Sequence, residues 1–82
     1  MSKARCCDLS GVGFIEVGGR KVGIVGLFQA FREVQALGLS DPETAVALLA
    51  RVKEQNWVPP ESEGEYAQAL LREYKRWQAG QP

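Results

Sequence analysis

Two short runs rich in β-branched residues, Val12 to Val17 and Arg20 to Val25, are separated only by Gly18-Gly19. That spacing predicts an antiparallel hairpin closed by a two-residue turn, because a Gly-Gly pair accepts the positive φ angles such a turn needs. A two-residue loop also fixes the register: Val17 faces Arg20, Glu16 faces Lys21, Ile15 faces Val22 and Phe14 faces Gly23. One cross-strand ion pair and one aromatic ring over a glycine are therefore expected. The period of two puts Ile15, Val17, Val22 and Ile24 on a core face, and Glu16 and Lys21 on the other with Val12, Phe14 and Val25. A lone two-stranded hairpin is marginal in water, so it must pack on helices or extend into another sheet, including one across a dimer interface.

Beyond Gly26 the apolar period lengthens. Leu27, Phe31, Val34 and Leu37 or Gly38 recur at helical spacing, and Gly38 suits a left-handed terminator. Ser40-Asp41-Pro42-Glu43 then carries a capping-box spacing with a proline tolerated in a first turn. Ala45, Leu48, Leu49 and Val52 form the buried stripe of this second helix, Arg51, Lys53 and Glu54 its polar side, and Asn56 its end before Trp57. Val58-Pro59-Pro60 is an extended connector. A third helix is predicted to start near Pro60 to Ser62, where Glu61, Glu63 and Glu65 complement the positive end of the dipole. Its apolar stripe is Tyr66, Leu70, Tyr74 and Trp77, joined by Ala67 and Leu71, with Arg72, Lys75 and Arg76 toward the C-terminal end. The expected fold is α+β: an N-terminal two-stranded antiparallel β-hairpin followed by three amphipathic α-helices. Residues 1–11 are expected to be a flexible arm, 12–79 a single compact domain and 80–82 a frayed tail.

Composition narrows the function classes. The chain has 82 residues, close to the lower size at which one core holds a fold without staples. At 45% apolar and 24% charged it has ordinary globular composition. Ten basic and ten acidic residues cancel, so the overall field that would attract nucleic acid or an anionic membrane is missing. No stretch approaches the roughly 20 apolar residues of a membrane span, and the start has no long apolar signal region. A soluble cytoplasmic protein without nucleic-acid or membrane partners is expected.

The residues with distinctive chemistry are Cys6 and Cys7, adjacent in Lys3-Ala4-Arg5-Cys6-Cys7-Asp8, in a chain with no histidine. A bond between neighbours would close a small strained ring that constrains almost no chain, so the pair is not a staple and a reducing compartment is expected. Three readings follow. In the plainest, both thiols are inert, or one tucks against the core as a small hydrophobe. In the second, two thiolates favoured by Lys3 and Arg5 chelate a soft ion such as mercury, copper(I) or trivalent arsenic. Zinc would need further ligands from Asp8, Glu16 or a second subunit. In the third, the pair forms a vicinal disulfide as a redox switch, although the familiar oxidoreductase pattern has two residues between its cysteines.

Other constellations carry less. Gly11-Val12-Gly13 and Gly23-Ile24-Val25-Gly26 lack the lysine and hydroxyl of a phosphate loop, and glycines beside strands usually serve turns and close packing. Glu61, Glu63 and Glu65 suit a solvated first helical turn. Arg72, Lys75 and Arg76 beside Tyr74 and Trp77 have the interleaving of a strand-gripping surface, but the apolar stripe accounts for the aromatics. Winged-helix DNA binders place the wing after the helices, the reverse of the order here, so DNA-binding regulation is the most distant alternative. Without histidine the usual proton shuttle is missing, and no enzyme is expected.

The string from Ile15 to Leu27, Ile15-Glu16-Val17-Gly18-Gly19-Arg20-Lys21-Val22-Gly23-Ile24-Val25-Gly26-Leu27, taken with Asn56-Trp57-Val58-Pro59-Pro60 and Glu65-Tyr66-Ala67-Gln68-Ala69-Leu70-Leu71-Arg72-Glu73-Tyr74, resembles a group of small uncharacterised prokaryotic proteins. These are associated with gene neighbourhoods carrying thioredoxin-like redox proteins and metal or metalloid resistance. The resemblance spans most of the chain, implies an accessory role in thiol or metal chemistry, and transfers no site residues. The resulting expectation is a non-enzymatic binding or accessory domain, with Cys6 and Cys7 as the candidate soft-metal, metalloid or redox site and no other cofactor. The alternative is a protein-interaction module with inert cysteines. Its partner is another protein, or a second copy docked through the hairpin edge.

Overall fold

Gly18 and Gly19 both lie in the left-handed region, with φ of 58° and 81°, the combination of a type I′ hairpin turn. The strands they join are β1 (Val12–Val17) and β2 (Arg20–Val25). Their register is the one the turn dictates, from Val17 opposite Arg20 to Val12 opposite Val25. The structure is a computed structural model that describes residues 12–80; the expected arm over 1–11, with Cys6 and Cys7, lies outside the described residues, as do Gln81 and Pro82.

Three helices follow: α1 (Leu27–Gln35), α2 (Asp41–Gln55) and, after a 3-10 turn at Pro60–Ser62, α3 (Glu63–Ala79). This is the expected α+β order of hairpin and then three helices. α1 ends two residues before the expected Leu37. The N–H groups of Leu37 and Gly38 donate to the carbonyls of Val34 and Gln35, tightening the last turn, and Gly38 at φ 66° reverses the chain. Leu37 is consequently swung off the core stripe and is 56% exposed. α2 opens with the full capping box: the Ser40 N–H and hydroxyl both donate to Glu43, at 3.3 and 3.0 Å, while the Ser40 side chain accepts from the Glu43 backbone.

The inner face of the hairpin, through Ile15, Val17 and Ile24, closes over Leu27, Phe31 and Val34 of α1, Leu48 and Val52 of α2, and Leu70 and Tyr74 of α3 in one apolar cluster. In α3 the buried alanine is Ala69, while the expected Ala67 is only half-buried, because the stripe follows Tyr66, Leu70 and Tyr74 along their inner edge. Phe31 is the aromatic hub, with ring centroids 5.5 Å from Tyr74 and 5.3 Å from Trp77. α2 and α3 run antiparallel and are clasped near both ends, by Lys75 with Asp41 at 2.6 Å and Lys53 with Glu63 at 2.8 Å. Close approach also sets two strand positions. A methyl group on Gly13 would stand 2.4 Å from a methyl of Leu27, and one on Gly23 would stand 3.3 Å from the ring of Phe14.

Candidate interaction surface

Most of the groups that looked free in the sequence are committed within the fold. Of the basic end of α3, Arg72 donates to the Glu16 carbonyl at 2.9 Å, Lys75 pairs with Asp41 and Arg76 pairs with Glu73. Tyr74 and Trp77 stack on each other and pack against Phe31, Tyr74 edge-on and Trp77 tilted, rather than forming an open platform. In the acidic first turn, Glu63 is paired with Lys53, leaving Glu61 and Glu65 exposed on the surface. A polar cleft between α1 and α2 is lined by Gln29, Glu33, Arg51, Glu54 and Gln55. There Glu33 accepts from both Arg51 and Gln29, so its carboxylate already has partners. Among the described residues no group of three or more His, Cys, Asp or Glu side chains is placed to hold a metal ion, and no helix is long and apolar enough to cross a membrane.

Glu16 and Lys21 face each other as the register requires, yet among the described residues no ion pair joins them. Both are exposed, and at a wet surface an ion pair gains little over hydration and costs side-chain freedom.

Two surfaces remain open among the described residues: an apolar one on α2, where Val46 is 68% exposed beside Pro42, Ala47 and Ala50, and the outer face of the hairpin with one of its edges. Phe14 is 59% exposed and Val25 49%, and half-buried Val12 lies between them opposite Val25. Trp57, 79% exposed, follows directly after Asn56, whose side chain is bonded to Val25. In a hairpin closed by two residues, the pair flanking the turn exchanges hydrogen bonds and the pairs then alternate. Val17–Arg20, Ile15–Val22 and Gly13–Ile24 thus bond inward, and Val12, Phe14 and Glu16 on β1 and Lys21, Gly23 and Val25 on β2 turn their backbone groups outward. Two contacts agree with this phase: the outward carbonyl of Glu16 accepts from Arg72, and both outward groups of Val25 are bonded to Asn56. The β1 edge lies along α3, with Phe14, Ile15 and Glu16, joined by Lys21 of β2, lining a shallow groove against Glu73 and Arg76. On β2, no hydrogen bond among the described residues reaches the outward groups of Lys21 or Gly23.

The sequence marked the outer face correctly. It gave no sign of Asn56 as an edge partner or of Trp57 as the most exposed of the large apolar side chains, because both depend on how the α2–α3 connector meets β2. Cys6 and Cys7 lie outside the described residues; β1 begins at Val12, at the open end of the hairpin beside Val25. No family model, curated protein or solved structure matches the chain.

Proposed function

We propose that this chain is a small non-enzymatic binding domain that meets a protein partner through the outer face of its hairpin. The carrying observation is that exposed Phe14 and Val25 lie next to a strand edge whose outward groups at Lys21 and Gly23 have no hydrogen bond among the described residues. Buried apolar anchors beside a polar rim are how protein interfaces gain most of their affinity. The wholly histidine-free sequence and the committed state of Glu33, Arg51, Arg72 and Lys75 favour binding over catalysis.

Site-specific photo-crosslinking tests this, with a photoreactive residue at Val25 and a control at Gln68, exposed on α3. In cells producing the protein at native level, a defined protein adduct is expected from Val25 and none from Gln68, and Phe14→Ser is expected to abolish it. Equal adducts from both positions, or none from Val25, would refute the reading.

A second reading attaches to Cys6 and Cys7, which stand within a few residues of β1 and are flanked by Lys3 and Arg5. Two adjacent thiolates suit a soft ion of low coordination number, which would make the domain a metal or metalloid accessory. Native mass spectrometry of reduced protein with mercury(II), arsenite, copper(I) or zinc is expected to show one soft ion per chain, lost in the double Cys6→Ser, Cys7→Ser variant. An unchanged mass removes this reading and leaves the interaction domain.

A further inference from the structure

The two edges of the hairpin are not equivalent. The β1 edge lies along α3 and its Glu16 carbonyl is held by Arg72. Among the described residues the β2 edge is closed only at Val25, by Asn56, and the outward N–H and C=O groups of Lys21 and Gly23 lie between that closure and the turn. The charge on this edge is distinctive. Arg51, Lys53, Lys75 and Arg76 are ion-paired and Arg72 is bonded to a carbonyl. Among the described residues the cations with no ion pair or hydrogen bond are Arg20, Lys21 and Arg32, two of them adjacent on β2. Phe14, opposite Gly23, lays its ring where a Gly23 side chain would stand, bringing aromatic surface toward the same edge.

We propose that the free edge of β2 accepts an extended acidic strand from another protein, which adds to the hairpin as a third antiparallel strand. This rests on the reading of the hairpin as a contact surface and names its partner's chemistry. The strand bonds to the outward groups of Lys21 and Gly23, the mode in which main-chain bonds supply affinity and alternate side chains supply specificity. Opposite Lys21 it carries a carboxylate, and opposite Gly23 an apolar side chain resting on the Phe14 ring, so it reads apolar–any–acidic from N- to C-terminus. Asn56 sets where the pairing stops. A second copy fits poorly, since β2 against β2 gathers Arg20 and Lys21 from both chains. The chain's own first eleven residues fit poorly as well, with Lys3 and Arg5 against a single Asp8. A cationic edge rejects such pairings and admits an acidic one, which is specificity through repulsion.

The test uses the full chain and a fluorescent probe peptide centred on Val-Thr-Glu, with two controls: the same peptide with Lys for Glu, and one N-methylated on its strand-facing amides. Expected are binding of the Glu peptide with slowed amide exchange at Lys21 and Gly23, weakening of about fivefold or more in Lys21→Glu, and a reversed preference of that variant for the Lys peptide. Equal binding of the N-methylated peptide would mean attraction by charge alone and overturns strand addition. Absence of binding, or no response to the charge swap, overturns it as well. If Val25 crosslinks a partner while the probe leaves Lys21 and Gly23 unprotected, the contact surface stands and the strand mechanism falls; if neither occurs, both fall.

Discussion

The side-chain amide of Asn56 grips both backbone groups of Val25, its oxygen 3.0 Å from the Val25 nitrogen and its nitrogen 3.1 Å from the Val25 carbonyl. It does for the end of β2 what a neighbouring strand would do. The same amide nitrogen also donates to the Val52 carbonyl at 3.0 Å, in the last turn of α2. One residue thus closes a helix end and a strand end together and fixes where the hairpin meets the helical layer. Orphan groups at both ends would otherwise need water.

Asn56→Ala should therefore cost about 1–2 kcal/mol, the worth of a few hydrogen bonds net of hydration, and speed exchange of the Val25 amide. Asn56→Asp keeps an acceptor for that amide but loses the donor and sets a negative charge beside two carbonyls and a helix C-terminus. It should be comparably destabilised in urea melts while the Val25 amide stays slow. Fast Val25 exchange in the aspartate variant would mean that the amide is protected by something other than this side chain.

Two glycine-to-alanine changes should move stability in opposite directions. At Gly13 the added methyl meets Leu27 at 2.4 Å, an overpacked contact of about 1–3 kcal/mol. At Gly64, in the first turn of α3, nothing lies within 4 Å, so alanine should stabilise by about 0.4–1 kcal/mol through the unfolded chain and its helix propensity. Thermal melts of the two variants check both signs, and Gly13→Ala at wild-type stability would show that Leu27 has room to turn away.

The capping box of α2 makes a claim about coupling. Ser40→Ala and Glu43→Ala should each cost about 1 kcal/mol, and the double variant less than their sum, because each removes the other's partner. Glu43→Gln, which keeps the box, should lose only a few tenths of a kcal/mol. Full additivity in a double-mutant cycle would show that Ser40 and Glu43 act separately.

How far the sequence carried these arguments depended on the range of the interaction. The hairpin register followed from two glycines, since a two-residue turn allows a single pairing once the faces are assigned, and the α2 cap followed from Ser40 and Glu43 three residues apart. Both are local rules. Leu37 was misplaced because helical spacing alone does not show where the last turn tightens. Glu16 and Lys21 were placed opposite each other correctly but do not pair, since register brings charges together without making their contact favourable in water. The Arg72 bond to Glu16 and the Asn56 bond to Val25 join residues 56 and 31 positions apart. They depend on how the helices dock, and no periodicity encodes them. The stretch of β2 edge that forms the candidate site became visible only with Arg72 bonded on the β1 edge and Asn56 on the far end of β2.

The turn offers a last, sharper prediction, because it joins stability to binding. Gly18 stands at φ 58° in a type I′ turn, a position asparagine occupies readily and a β-branched residue does not. Gly18→Asn restricts the unfolded chain without straining the folded one and should raise stability by about 0.4–1 kcal/mol; Gly18→Val should lower it by more than that. Neither change touches Lys21, Gly23 or Phe14. If the β2 edge receives a strand, a stiffer hairpin is a better preformed template, and Gly18→Asn should tighten the Val-Thr-Glu peptide without adding a contact to it. Gly18→Val should loosen the peptide in step with its loss of stability. Peptide affinity that stays constant across all three proteins, while their melting temperatures differ, would mean that the probe binds somewhere the hairpin does not organise.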